Sequence, residues 1–458
     1  MEPFSVSQDE VQAPPSPYLG KKLTVKDQLA ISGFWLATNA HWGALLVVMI
    51  PGEIAKIAPS NRAAALGLFT AVGAIFAIFC PLIVGPLSDR CASKLGRRRP
   101  YIAVGTGVNI VGLLIMALVV TAFVSQAGSS GHTGGSLLGG YSVFYYLLLV
   151  GFLIVQFGNN VATAAYMGVL PDLVPDDQRG VASGYYAVMC QVGTLVGAVG
   201  AGLLLAKLPA SAQYGFLILL FLIIGPLTLL GFKENALIIK PKPLQWVPYL
   251  KSLWISPKDQ PDFFWVWITR FLVMLGFYGI EPFINYYLRD VIHLQNPASA
   301  SGILIGVILV AASISGFLGG SLSDKIGRKK VVYFATGVMA VFVLGFSFCH
   351  NFLQTLGIGT IFGLGFGAYT SVDWALGTDV LPDLDHAAKH MAVWHVSMTL
   401  PQSIAPPIAG AIIGAFVLEA SPAHAVTYSR TGYDLVFIFC AICFTLGAVF
   451  LKNIRSVT

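Results

Sequence analysis

Gly85–Pro100 reads GPLSDRCASKLGRRRP, and Gly319–Lys330 reads GGSLSDKIGRKK. In each copy a Ser-Asp pair closes an apolar run, and a glycine followed by a basic cluster comes next. A loop sequence used twice, so far apart, marks a chain assembled from two related halves. A second echo supports this: LPDL occurs at Leu170–Leu173 and again at Leu381–Leu384, and the same offset lays Gln191 over Gln402.

Working outward from the two loops, apolar stretches of helical length fall near residues 28–52, 63–86, 101–124, 142–169, 181–206 and 213–232, and then near 263–288, 299–320, 331–349, 352–381, 389–417 and 432–451. Each can cross about 30 Å of hydrocarbon. The chain is 56% hydrophobic and only 10% charged, whereas soluble domains carry roughly 25% charged residues. The bilayer, rather than one large soluble core, therefore sets the architecture. The expected fold is an all-α membrane protein with twelve transmembrane helices in two pseudo-symmetric six-helix bundles. Its parts are an N-terminal tail (1–27), a first bundle (28–232), a Lys- and Pro-rich linker (233–262), a second bundle (263–452) and a short C-terminal tail (453–458). Met1–Lys26 has no apolar core and reads as a disordered tail rather than a cleaved signal.

Lys and Arg favour the cytosolic side of short membrane loops. With both termini inside, Lys56, Arg62, Lys207, Arg289 and Arg430 face outward and Arg270 lies within the seventh span, while all the others of the 27 basic residues fall on the cytosolic side. The bias predicts a plasma or inner-membrane protein with both termini cytosolic, and it accounts for the net charge of +6 without nucleic acid. Basic loops facing an anionic leaflet are ordinary. The six cysteines form no disulfide framework; Cys440 and Cys443 have redox-pair spacing but sit in the last apolar span. Glycines spaced by four, at Gly193 and Gly197 and at Gly359, Gly363 and Gly367, read as packing devices.

The doubled G-x-L-S-D-(R/K)-x-G-R-(R/K) signature resembles the cytoplasmic loop motif of the major facilitator superfamily, and the resemblance covers essentially the whole chain. SDRCASKLGRRRPYI at Ser88–Ile102, with Asn159 and Asn160 in the fourth span, is similar to the sucrose–proton symporter (glycoside-pentoside-hexuronide-like) group. That group carries an acid just before its paired asparagines, but the matching position here is Gln156, which cannot ionise. Proton coupling must then use another acid.

Ionisable and amide groups at membrane depth are costly and are functional candidates. Asp373 lies about 14 Å along the helix before Pro382, near mid-membrane, and is the first candidate proton carrier; Glu281 is the second. Arg270 and Glu281 stand about three turns apart on one face of the seventh span, and Arg270 could equally pair with Asp373. Substrate-binding candidates are Asn39, His41 and Trp42 in the first span, Gln156, Asn159 and Asn160 in the fourth, Tyr369 and Trp374 in the tenth, and His395 and Gln402 in the eleventh, together with Arg270. Amides and aromatic rings suit hydroxyl-rich ligands. In the loops, Asp89, Arg90, Arg97, Arg98, Asp324, Lys325 and Arg328 are candidates for a cytosolic gate, since carboxylate–guanidinium bonds can latch helix ends.

These readings predict a monomeric secondary transporter that moves a small polar solute, such as a disaccharide, with proton symport. An uncoupled sugar facilitator, an exporter of amphipathic compounds and a transporter-like sensor are the alternatives. Neither a phosphate-binding loop nor a metal-ligand cluster stands out, so no cofactor, metal or enzymatic activity is expected.

Overall fold

The computed structural model describes residues 16–130, 141–175, 178–205, 208–237, 244–253, 255–380, 387–421 and 424–455. Among them, twelve helices are long and apolar enough to cross a bilayer. They are α1 (Val25–Ile57), α2 (Arg62–Asp89), α3 (Arg99–Ser130), α4 (Val143–Leu173), α5 (Arg179–Val199), α6 (Ala210–Gly231), α7 (Pro261–Asp290), α8 (Pro297–Ile326), α9 (Arg328–Gly345), α10 (Phe352–Asp379), α11 (Ala387–Gly414) and α12 (Arg430–Leu451).

Local sequence explains where several of these begin. Thr24 and Asp27 form a reciprocal capping box at the start of α1, which satisfies two otherwise orphaned backbone donors. Asn296 caps α8 by accepting from the Ser299 amide. The glycines of the doubled motif, Gly96 and Gly327, both adopt left-handed backbone, at φ 101° and φ 100°. That conformation disfavours a side chain, so each glycine turns the chain sharply between consecutive spans.

Helix pairings repeat with a shift of six. The contacts α1 with α5, α2 with α4, α3 with α4 and α3 with α6 recur as α7 with α11, α8 with α10, α9 with α10 and α9 with α12. Across the halves, α2 packs on α11 and α5 on α8. The first expected glycine pair serves these approaches within a half: a Cβ on Gly193 would stand 2.5 Å from the Leu36 carbonyl oxygen of α1.

Five features go beyond the helical expectation. Between α11 and α12 a hairpin forms from β1 (Val417–Ser421) and β2 (His424–Tyr428), where Val417, Val426 and Thr427 supply β-branched side chains. A widened π-turn occupies Leu45–Met49 in α1, and another, Gly200–Leu205, extends α5. A 3₁₀ turn, Glu281–Phe283, interrupts α7. Within the stretch expected to be a loose tail, Ser16 bonds the Leu173 carbonyl and the Leu23 amide bonds Gln178. The second LPDL copy falls largely in 381–386, outside the described residues.

We call the face with the 90–98 loop the terminal face and the opposite one, with the hairpin, the distal face. Hydrogen bonds that cross between the halves gather distally. Tyr286 donates to the Pro51 carbonyl at 3.0 Å, the Ala63 amide donates to the Tyr428 hydroxyl at 3.1 Å, and Ser299 donates to the Gly202 carbonyl at 2.6 Å. At their centre the buried Arg62 pairs with Asp290, and Tyr433 donates to the same carboxylate at 2.7 Å. The Arg62 guanidinium also lies over the Tyr286 and Tyr428 rings.

Candidate functional site

In the first half, candidate residues converge from α1, α4 and α5. Trp35 leans on Tyr166 and Tyr186, with ring centroids 5.7 and 6.0 Å away, and those two tyrosines stack on each other at 5.8 Å. One turn on, the Asn39 amide donates to the Trp35 carbonyl at 2.9 Å. On α4 the Asn160 amide donates to both the carbonyl and the side-chain oxygen of Gln156, at 2.8 and 3.1 Å. Asn159 is buried and its side-chain oxygen has no partner among the described residues. The result is an aromatic and amide wall whose three rings lie outside the candidate set above. The spacing of Tyr166 and Tyr186 from Trp35 crosses three helices, so no periodicity within one span could expose it.

Trp42 meets Phe152 edge-on, whereas His41 packs inside its own bundle against Phe221 of α6. Both His41 ring nitrogens lie buried without a hydrogen-bond partner among the described residues.

The second half is charged rather than amide-rich. Arg270 of α7 and Asp373 of α10 form a buried ion pair at 3.3 Å, and Tyr369 donates to the other Asp373 oxygen at 3.1 Å. The guanidinium lies 3.2 Å from the centre of the Trp394 ring, an aromatic face that attracts a cation, and reaches the Met398 sulfur at 3.4 Å. His395 follows Trp394 on α11. About two turns further along, Gln402 donates to the Tyr278 hydroxyl at 2.8 Å. The alternative pairing of Arg270 with Asp373 is therefore the arrangement found. Glu281 does not join this cluster. The 3₁₀ turn breaks the helical wheel of α7, and Glu281 lines a separate cavity with Phe277 and Tyr287. The side chain of Trp374 lies outside the described residues.

The terminal loop of the first half is a closed network. Arg98 pairs with Asp89 and, at 2.8 Å, with Asp172. It also donates to Ser88 at 2.6 Å, while Arg97 holds Asp172 at 2.7 Å. Glu234, at the start of the linker, accepts the backbone amides of Arg97, Arg98 and Arg99 at distances from 2.9 to 3.4 Å. Burial raises its carboxyl above the usual range even though those amides pull it down. A Cβ on Gly96 would collide with that carboxylate, so the glycine serves both the turn and the brace. Arg90 donates to the Pro86 carbonyl at 3.4 Å. In the second copy Lys325 is exposed, Arg328 is half-buried and Lys329 donates to the Ile454 carbonyl at 2.6 Å. The Asp324 side chain lies outside the described residues. Sequence reading missed Asp172 as a partner although it sits in the repeated LPDL, and it missed Glu234 because an isolated acid in a linker carries no pattern.

Residues 29–383 and 293–456 match the family described as the Major Facilitator Superfamily. The chain is 24% identical over 433 residues to the multi-drug resistance efflux pump PmrA of Streptococcus pneumoniae, covering 93% of this chain and 95% of that one. It is 27% identical over 197 residues to the sucrose transport protein SUC4 of Arabidopsis thaliana, covering 43% of this chain and 36% of that protein. Among solved structures it resembles a point mutant of the nucleoside transporter NupG, with a TM-score of 0.69 and 13% identity over 94% of this chain and 100% of that one. That likeness speaks for the fold.

Proposed function

The chain belongs to the major facilitator superfamily and is an integral membrane transporter; on that premise we propose that it moves a sugar-like solute by alternating access with proton symport. The observation that carries the solute class is the wall of Trp35, Tyr166 and Tyr186 beside the Asn39 and Gln156–Asn160 amides. Aromatic faces accept the apolar C–H side of a sugar ring, and amides offer donors and acceptors to its hydroxyls. The partial match to a sucrose transport protein supports this reading.

The terminal face, rich in Lys and Arg, is the cytosolic one in this proposal, and the protein works as a monomer in the plasma or inner membrane. The conformation is then closed outward by the Arg62–Asp290 cluster and open inward. Arg97 and Arg98, expected as gate residues, instead brace Asp89 and Asp172 at the cytosolic end of the first bundle, and solute binding couples to rocking of the two bundles. Asp373 is the proton carrier: protonation releases Arg270, and loss of the proton restores the pair. A proton crossing with the solute draws about 2.3 kcal/mol per 100 mV from the membrane potential.

Reconstituted in proteoliposomes and screened against a radiolabelled sugar panel, the protein is expected to take up one sugar class uphill under an inward proton gradient. Asn160→Ala and Trp35→Ala should each raise the half-saturation concentration about tenfold, the effect of losing one good polar or stacking contact. Asp373→Asn should abolish accumulation while sparing exchange. Failure of every sugar to be transported rejects the solute class; unchanged uphill uptake by Asp373→Asn rejects the coupling residue.

A further inference from the structure

The cavity beside Glu281 is chemically unlike the amide wall. Its walls include Phe277 and Tyr287 of α7, Phe366 of α10, Phe346 beyond α9, and Tyr433 and Phe437 of α12. These rings already contact one another: Phe277 stacks on Phe366 with centroids 4.4 Å apart, and Tyr287 meets Phe437 at 5.4 Å and Tyr433 at 5.8 Å. The remaining wall is mostly isoleucine and leucine, from α7, α8 and α11, with Thr194 of α5 contributed by the other half. The cavity opens at a mouth, and about 840 Å³ of atom-free space lies within it and that mouth together.

Into this lining projects one carboxylate. Glu281 has no hydrogen bond or ion pair among the described residues, and neither Lys, Arg nor His lines the cavity. A carboxylate in an apolar setting is costly unless a positive group or hydrogen bonds compensate it. An inorganic divalent ion would require several more oxygen ligands. The tyrosine hydroxyls cannot supply them freely, since Tyr287 donates to the Phe346 carbonyl and Tyr433 to Asp290. A weakly hydrated organic cation fits instead, because aromatic faces attract such a charge and the rest of the lining accepts an apolar body.

We propose that the Glu281 cavity is a binding site for monovalent organic cations with an apolar body, such as quaternary ammonium or phosphonium compounds. The charge rests against Glu281, the body lies among Phe277, Phe366, Tyr287 and Phe437, and the occupant reaches Thr194 on the opposite half. This site goes beyond the sugar reading and does not depend on it, for its carboxylate and rings belong to the second half and it uses none of the amide-wall residues.

The test is equilibrium binding of radiolabelled tetraphenylphosphonium to the purified full-length protein in lipid nanodiscs. Saturable binding is expected. Glu281→Gln should weaken it about tenfold or more, as removal of a desolvated charge partner does. Ile308→Trp, which fills the cavity and keeps the carboxylate, should also abolish it. Tetraphenylborate, an anion of the same shape, should fail to compete. A melting curve and gel filtration of each variant establish that it is folded, and Asn160→Ala should bind the cation like the unaltered chain. The proposal is overturned if the unaltered protein shows no saturable binding, if folded Glu281→Gln binds equally well, or if tetraphenylborate competes as strongly as the cation. None of these outcomes bears on sugar uptake, so the two readings fail separately.

Discussion

The distal and terminal ends both use arginine–carboxylate pairs, but the pairs differ in reach. At the distal end Arg62 of one half grips Asp290 of the other, with side chains 0% and 1% exposed. At the terminal end Arg98 grips Asp89 and Asp172 of its own half, and Asp89 is 41% exposed. One pair therefore holds the halves to each other, whereas the other stiffens a single half. A rocking transporter needs this asymmetry: the joint that must open is made across the halves, and the rigid body that moves is braced internally. A dry pair is also the more sensitive to damage, because removing one partner leaves a buried charge stranded.

The strongest way to break the contrast is to strand that charge. Arg62→Ala or Asp290→Ala should weaken distal closure by about 3–5 kcal/mol, seen as fast labelling of a cysteine placed at Ala198 in a chain without its native cysteines. Arg62→Met combined with Asp290→Leu should recover much of the closure, since neither charge is then left alone. Unchanged labelling in the single variants would mean that the distal cluster is not a latch.

A smaller effect comes from the two ends of α2. A Cβ on Gly67 would stand 2.6 Å from the Pro406 carbonyl oxygen across the interface, while Gly85 has nothing nearby. Gly67→Leu should shift the same labelling toward the open form by about 1–3 kcal/mol, the cost of overpacking; Gly85→Leu should leave it alone. Equal effects would show that the halves approach as closely at the terminal end as at the distal one.

The smallest effect belongs to the brace. Glu234→Gln should hold or raise thermal stability, by up to about 1 kcal/mol, at neutral pH, because the amide oxygen still accepts from the three backbone amides while no buried charge remains, without changing distal labelling. Because burial raises the folded Glu234 carboxyl, this group's contribution is fully present below its unfolded value and lost as pH rises through the folded one. A pH series of melting temperatures should show that slope in the native chain and a flatter one in Glu234→Gln. A slope that persists in Glu234→Gln would place the titrating group elsewhere.

Much of the fold was legible in the residues because it follows from periodic and repeated patterns: long apolar runs, basic loops and a loop motif used twice. Gly96 and Gly327 show how far this reaches, since matching letters adopt matching backbone. The distal cluster was illegible because Arg62, Asp290, Tyr428 and Tyr433 come from separate connections, and no spacing within one span joins them. Arg62 stood out in the sequence only as a basic residue on the less favoured side of the membrane. For the site, Asn160 with Gln156 could be read from their one-turn separation, and the link between Arg270 and Asp373 was one of two readings left open. The Glu281 cavity depended on a 3₁₀ turn that hydrophobicity does not announce.

The widened turn at Leu45–Met49 has a genetic consequence. A π-turn lodges one residue more than an α-turn while its flanks keep their heading, so Pro51 and Glu53 still find Tyr286 and Tyr214. Deleting one residue inside Leu45–Met49 should leave an ordinary helix with both ends aimed as before. Deleting Ala55 instead would swing Ile57 through about 100°, out of the apolar core where it is buried. The first helix thus carries one spare stitch, and its position decides which single-codon losses this gene can survive.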